Sequence, residues 1–169
     1  MTAAFKELIQ TLAPDQVEEG LRAMTTALAN STAFESLRNL VLADQRLVST
    51  LLLFEPDDQE ERNGMFVCLY MLDRETLLPA TDHIIEQFEM AVSKEDVDGC
   101  DHSTYVSDAV SALLVIGGEE IEQIVSDYLL TETDSELVEE ILSRMSKLRR
   151  KLMEDTEQVL NSPQGTEAG

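Results

Sequence analysis

The residue types that could carry chemistry are few in this chain, and they stand apart. Two cysteines, Cys68 and Cys100, and two histidines, His83 and His102, are the whole stock of thiols and imidazoles in 169 residues. A structural zinc site takes four ligands in paired spacing, and neither C-x-x-C nor H-x-x-x-H occurs. Di-iron bundles use Glu-x-x-His, whereas "HIIE" at 83–86 runs in the opposite order and occurs once. Cys100 and His102 lie two apart with no oxyanion-hole signature near them, so a nucleophile–base pair lacks its supporting parts. Cys68 sits inside "MFVCLYML", where a thiol acts as a small buried hydrophobe.

The loop "SKEDVDGCDHSTYVSD" has the composition of a calcium site but not its count. An EF-hand loop needs Gly at its sixth position and Glu at its twelfth. With Gly99 sixth, Lys94 falls first and Tyr105 twelfth; starting at Asp96 instead puts Asp101 at the turn and Ser107 at the end. Neither frame supplies the ligands. Gly117-Gly118 opens a helix, as in phosphate sites, but Glu119 and Glu120 follow at once and already occupy the positive end of its dipole. There is no GxxxxGK[ST] and no GxGxxG. The expectation is a non-enzyme with no catalytic residue, no metal and no cofactor.

What the chain has in excess is carboxylate. Asp and Glu total 34 against 12 Lys and Arg, a net charge of −22. Residues 1–74 hold 12 acids and 6 bases, whereas residues 75–143 hold 18 acids against Lys94 alone. Residues 144–151, "RMSKLRRK", hold five bases and no acid. The stretch "EEIEQIVSDYLLTETDSELVEEIL" carries nine acids and no base: Glu119, Glu120, Glu122, Asp127, Glu132, Asp134, Glu136, Glu139 and Glu140. These nine are the candidate partner-binding residues.

Charge runs usually form solvated faces that keep a protein soluble. Like-charge repulsion nevertheless opposes the compact state, so an imbalance this local points to a positively charged partner. The expected partner is a basic protein, in the sharpest form a DNA- or RNA-binding protein inhibited by a nucleic-acid mimic; a chaperone of basic proteins is a related form. Direct nucleic-acid binding is disfavoured, because affinity for phosphates comes from Lys and Arg releasing counterions. The cluster "KLRRK" has a plainer use in i, i+4 pairs such as Glu140–Arg144, Arg150–Glu154 and Lys151–Asp155.

The elements that must position these residues are helices. Apolar spacings of three and four recur from end to end, while seven Gly, four Pro and no Trp leave little material for a β-sandwich. The pattern predicts helices over about 2–12, 14–30, two over 32–54 broken near Asp44, then 58–72, 75–92 with a kink or start at Pro79, 103–116 and 119–130. Residues 93–102 are expected to be a loop. Thr133 and Glu136 are spaced as a capping box for a last helix reaching about residue 160. That helix carries a heptad seam of Val138, Ile141, Met145, Leu148, Leu152 and Val159. The fold class is all-α, an irregular stack of seven to eight antiparallel helices, as a HEAT-like solenoid or a helical bundle. A single domain is expected over 1–161, with a disordered tail over 162–169.

Residues 105–142, "YVSDAVSALLVIGGEEIEQIVSDYLLTETDSELVEEIL", resemble a HEAT-type helical repeat. Val110, Leu113, Ile116 and Gly117 occupy the first-helix positions, with Ile121, Ile124 and Leu129 in the second. The resemblance implies stacked helical hairpins and a protein-binding role. Upstream, helix starts near 32, 59, 103 and 135 keep no fixed interval, as a regular array would.

An alternative function follows from the last helix. Its seam can pair with a second copy or a partner helix, making the chain an adaptor, chaperone or assembly subunit whose acidity only solubilises it. A homodimer through this helix belongs to that reading. The N-terminus "MTAAFKELIQTLAPDQ" lacks a basic region followed by an apolar one, and "LVSTLLLF" and "ALLVI" fall far short of the roughly 20 residues a membrane span needs. A soluble, cytoplasmic protein without membrane association is expected.

Overall fold

Aspartates cap the starts of four helices in this protein. In the computed structural model, the Asp44 carboxylate accepts from the backbone N–H groups of Arg46 and Leu47, at 2.9 and 3.2 Å. Asp58 accepts from Glu61 N–H at 2.9 Å, and Asp73 from Thr76 N–H at 2.8 Å. Asp134 accepts from Glu136 and Leu137 N–H at 3.0 and 3.2 Å. Each short carboxylate satisfies donors that a helix start leaves without an intrahelical partner. Four acids that read as surface charge in the sequence therefore have backbone duties. The cap of the last helix is Asp134 rather than Thr133, since Asp134 stands directly before Ser135, the first helical residue, within reach of the first-turn N–H groups.

The structure describes residues 2–30, 34–93 and 102–161; within these, residues 2, 29, 30, 34, 102–105, 152 and 159 are described by backbone alone. The helices are α1 (Thr2–Thr11), α2 (Val17–Asn30), α3 (Phe34–Leu42), α4 (Gln45–Leu51) and α5 (Gln59–Leu69). They continue as α6 (Arg74–Leu77), α7 (Thr81–Ser93), α8 (His102–Ile116), α9 (Glu119–Thr131) and α10 (Ser135–Asn161). No strand occurs among the described residues. The fold is all-α. The expected break near Asp44 separates α3 from α4, and Pro79 divides the run expected over 75–92 into α6 and α7. A 3₁₀ turn over Leu78–Ala80 carries that proline and leaves α6 a single turn. Of the loop expected over 93–102, Ser93 belongs to α7 and His102 to α8, while residues 94–101, with Cys100, and the tail at 162–169 lie outside the described residues.

The centre is α5, whose Met65, Phe66, Cys68 and Leu69 are all within 1% of full burial. An apolar run with no polar side needs partners all round, and α5 packs against α2, α3, α7 and α8. Its approach to α2 is backbone-close: a Cβ on Gly64 would stand 2.2 Å from the Thr25 carbonyl oxygen. The core continues through Leu21, Met24, Leu37, Leu51, Phe88, Val110, Leu113 and Ile141 as one cluster.

The C-terminal third is built on α8, whose far end turns at Gly117 and Gly118. Both adopt positive φ, +67° and +98°, which a residue with a Cβ rarely does. Gly117 N–H bonds the Leu113 carbonyl at 3.0 Å, and the Arg74 side chain donates to the Ile116 carbonyl at 2.8 Å, closing the helix end. Helix α9 returns alongside, and α10 packs on α8.

Candidate functional site

Periodicity decides how the nine candidate acids sit. Helix α9 buries Ile121 and Val125, with Ile124, Tyr128 and Leu129 packed against the core, so Glu119, Glu120 and Asp127 are exposed. Helix α10 buries Leu137, Ile141 and Met145 and half-buries Val138, which leaves Glu136, Glu139 and Glu140 outside. The seam therefore enters the core through Leu137 where Val138 was expected, while Ile141, Met145 and the partly buried Leu148 hold their places. The side chains of Leu152 and Val159 lie outside the described ones.

Five of the nine acids have partners. Asp127 accepts from the Gln123 amide at 2.7 Å. Glu132 accepts from the Tyr128 hydroxyl and from the N–H groups of Thr133 and Asp134, at 2.8 and 2.9 Å. Asp134 caps α10, Glu140 pairs with Arg144 one turn on, and Glu122 meets Arg149 across the hairpin at 3.5 Å. Glu119, Glu120, Glu136 and Glu139 remain exposed, three of them in first helical turns where negative charge complements the dipole. Burial first, and then the hydrogen bond to Glu132, push the Tyr128 hydroxyl well above its ordinary range.

An open cleft of about 330 Å³ runs along the outer side of α9, lined by Glu119, Glu122, Gln123 and Ser126. Two carboxylates three residues apart, with an amide and a hydroxyl beside them, form an acceptor-rich slot suited to an ammonium or guanidinium group. Charge-assisted bonds of that kind are roughly twice as strong as neutral ones.

Two polar clusters had no clear signal in the sequence. Arg62 is 1% exposed, yet its guanidinium donates to neutral partners, Gln87 Oε1 at 3.1 Å and Gln59 Oε1 at 2.7 Å. Burial pulls its pKa below the usual arginine range, and the Asp58 and Glu55 carboxylates pull it back. Glu55 accepts from Gln87 at 3.2 Å and lies 3.5 Å from His83, whose Nε2 is 2.8 Å from the Phe54 carbonyl oxygen. The network ties the 54–58 link onto α7. Apart from Gln59, one turn before Arg62, its partners lie 25 to 32 residues apart in the chain, so no local spacing announces it.

The second cluster joins α8 to α10. Arg144 donates to the Ser107 carbonyl at 3.2 Å and to the Ser111 hydroxyl. Asp108 lies nearby, its carboxyl raised to about 6, mainly by burial; Arg144 and Arg38 lower it while Glu140 raises it.

Cys68 is fully buried, and burial pushes its thiol up to about 12, far from a reactive thiolate. Among the described residues no three His, Cys, Asp or Glu side chains converge as metal ligands. No helix among them is long and apolar enough to cross a membrane. Comparison with protein-family models, with curated proteins and with solved structures gave no match for this chain.

Proposed function

We propose that the protein is a non-enzymatic interaction module whose α9–α10 hairpin docks on a basic surface of a partner protein. The observation that carries this reading is the acceptor-lined cleft beside exposed Glu120, in a segment whose sequence holds no base and where Arg149 of α10 already meets Glu122 at 3.5 Å, as a partner cation would. A partner Lys or Arg enters the cleft, and the flanking Glu136 and Glu139 add longer-range attraction. Such a surface steers encounter and sets specificity, and its affinity falls as salt screens the charges. A phosphate-binding surface is the best fit, because it already presents Lys and Arg to a row of negative charges. Inhibition then works by occlusion.

The test is immobilised full-length protein in native lysate at low salt, with stepwise salt elution and a parallel elution with duplex DNA. The expected result is retention of a nucleic-acid-binding protein, released both by moderate salt and by DNA. The charge-reversed variant Glu119→Lys/Glu120→Lys/Glu139→Lys, which leaves all caps in place, should lose that retention. Equal retention by the variant overturns the reading.

A further inference from the structure

Among the described residues, the last third of α10 buries no side chain. Helix α9 has 13 residues and α10 has 27. Arg149 meets Glu122 near the start of α9, so α10 has outrun its neighbour from that point. At 1.5 Å per residue the remaining dozen residues project about 18 Å. Every described side chain from Arg149 to Asn161 is exposed, including Met153 at 66% and Leu160 at 77%. A helix of this length in water is marginal by itself, since nucleation costs are recovered mainly by packing an apolar face.

The charges of the overhang say what covers it. Arg149, Arg150 and Lys151 fill its first part, and Glu154, Asp155 and Glu157 its second. In a chain of net charge −22 the segment from Arg149 to Asn161 is neutral and lengthwise divided into a basic and an acidic half. A second copy laid parallel would set base on base and acid on acid. Laid antiparallel about a point near Met153, each basic half faces the other copy's acidic half. The same orientation sends the two acidic bodies to opposite ends, where their repulsion is least.

We infer that the α10 overhang is a self-association surface on which two copies pair antiparallel, centred near Met153. The local pair Arg150–Glu154, at 4.0 Å and mostly exposed, is weak enough to be exchanged for intermolecular ones. Two short overhangs bury less than the roughly 1,200 Å² of an ordinary stable complex, so the dimer is weak and concentration-dependent. The inference is independent of the acidic cleft and stands or falls without it.

Sedimentation velocity on the full chain over a concentration series should show the mass doubling with rising concentration. Arg150→Glu/Lys151→Glu should remain monomeric throughout, while its circular dichroism shows the helices intact. Mixing that variant with Glu154→Lys/Asp155→Lys should restore the dimer. Orientation is read from thiol cross-links in a Cys100→Ser background, since Cys68 is buried. Met153→Cys should link to its own copy and Leu160→Cys should not. A chain that stays monomeric at the highest concentrations, or Leu160→Cys linking as readily as Met153→Cys, overturns the proposal.

Discussion

Asp108 shows how one carboxyl in this acidic chain differs from the rest. Most of its neighbours in charge stand in water or cap a helix, but Asp108 faces the α8–α10 seam with Arg144 and Glu140 on α10 and Arg38 on α3. Its pKa rises from an ordinary 3.8 to about 6. The folded state therefore binds its proton more tightly than the unfolded chain does. The resulting stability is fully present below about 3.8 and is lost as pH rises through about 6. Asp108→Asn should flatten the pH dependence of stability across that window by on the order of 1 kcal/mol, after allowance for solvent screening. Urea unfolding of both proteins at pH 4, 5, 6 and 7 checks this; parallel curves would remove Asp108 from the seam. Asp44 works in the opposite direction. Burial raises its carboxyl, but bonds from the Arg46 side chain and from Leu47 and Arg46 N–H outweigh this and hold it low, so its contribution fades in acid.

At the scale of elements, the contact between α2 and α5 admits no side chain at Gly64. Gly64→Ala places a methyl 2.2 Å from the Thr25 carbonyl oxygen and 2.8 Å from the Thr25 Cα, atoms that a rotamer change cannot move. The expected loss is about 1–3 kcal/mol, toward the upper end because backbone must shift. An unchanged denaturation midpoint would mean the two helices lie further apart than described. Helix positions were legible because their apolar periods are long and unbroken, and the break at Asp44 and the interruption at Pro79 were legible from residue chemistry. The α10 cap was misplaced by one residue, since Thr133-x-x-Glu136 and Asp134 compete for the same turn and spacing alone does not choose. Arg62 was not legible at all. A cation beside Glu60 and Glu61 reads as surface, and only the fold brings Gln87 to it.

For the whole molecule, charge is the dominant fact. The structure places part of the acidity in local duties, with Asp44, Asp58, Asp73 and Asp134 as caps and Glu61 held by Arg22. The net excess of negative charge repels itself. Because carboxylates outnumber bases 34 to 12, raising salt from 20 mM to about 0.5 M should screen more repulsion than attraction and raise Tm by several degrees. A Tm that falls with salt would mean that pairs such as Arg22–Glu61 and Glu140–Arg144 outweigh the net charge. The ring of Tyr128 meets Phe88 edge-on at 5.7 Å, while its hydroxyl is bound to Glu132. In a chain without tryptophan, that places one of three phenol chromophores at the junction of α7, α9 and the link to α10. Near-ultraviolet light is therefore absorbed in part at the very joint on which the acidic hairpin is hung, and the protein carries its own optical gauge of whether that joint is closed.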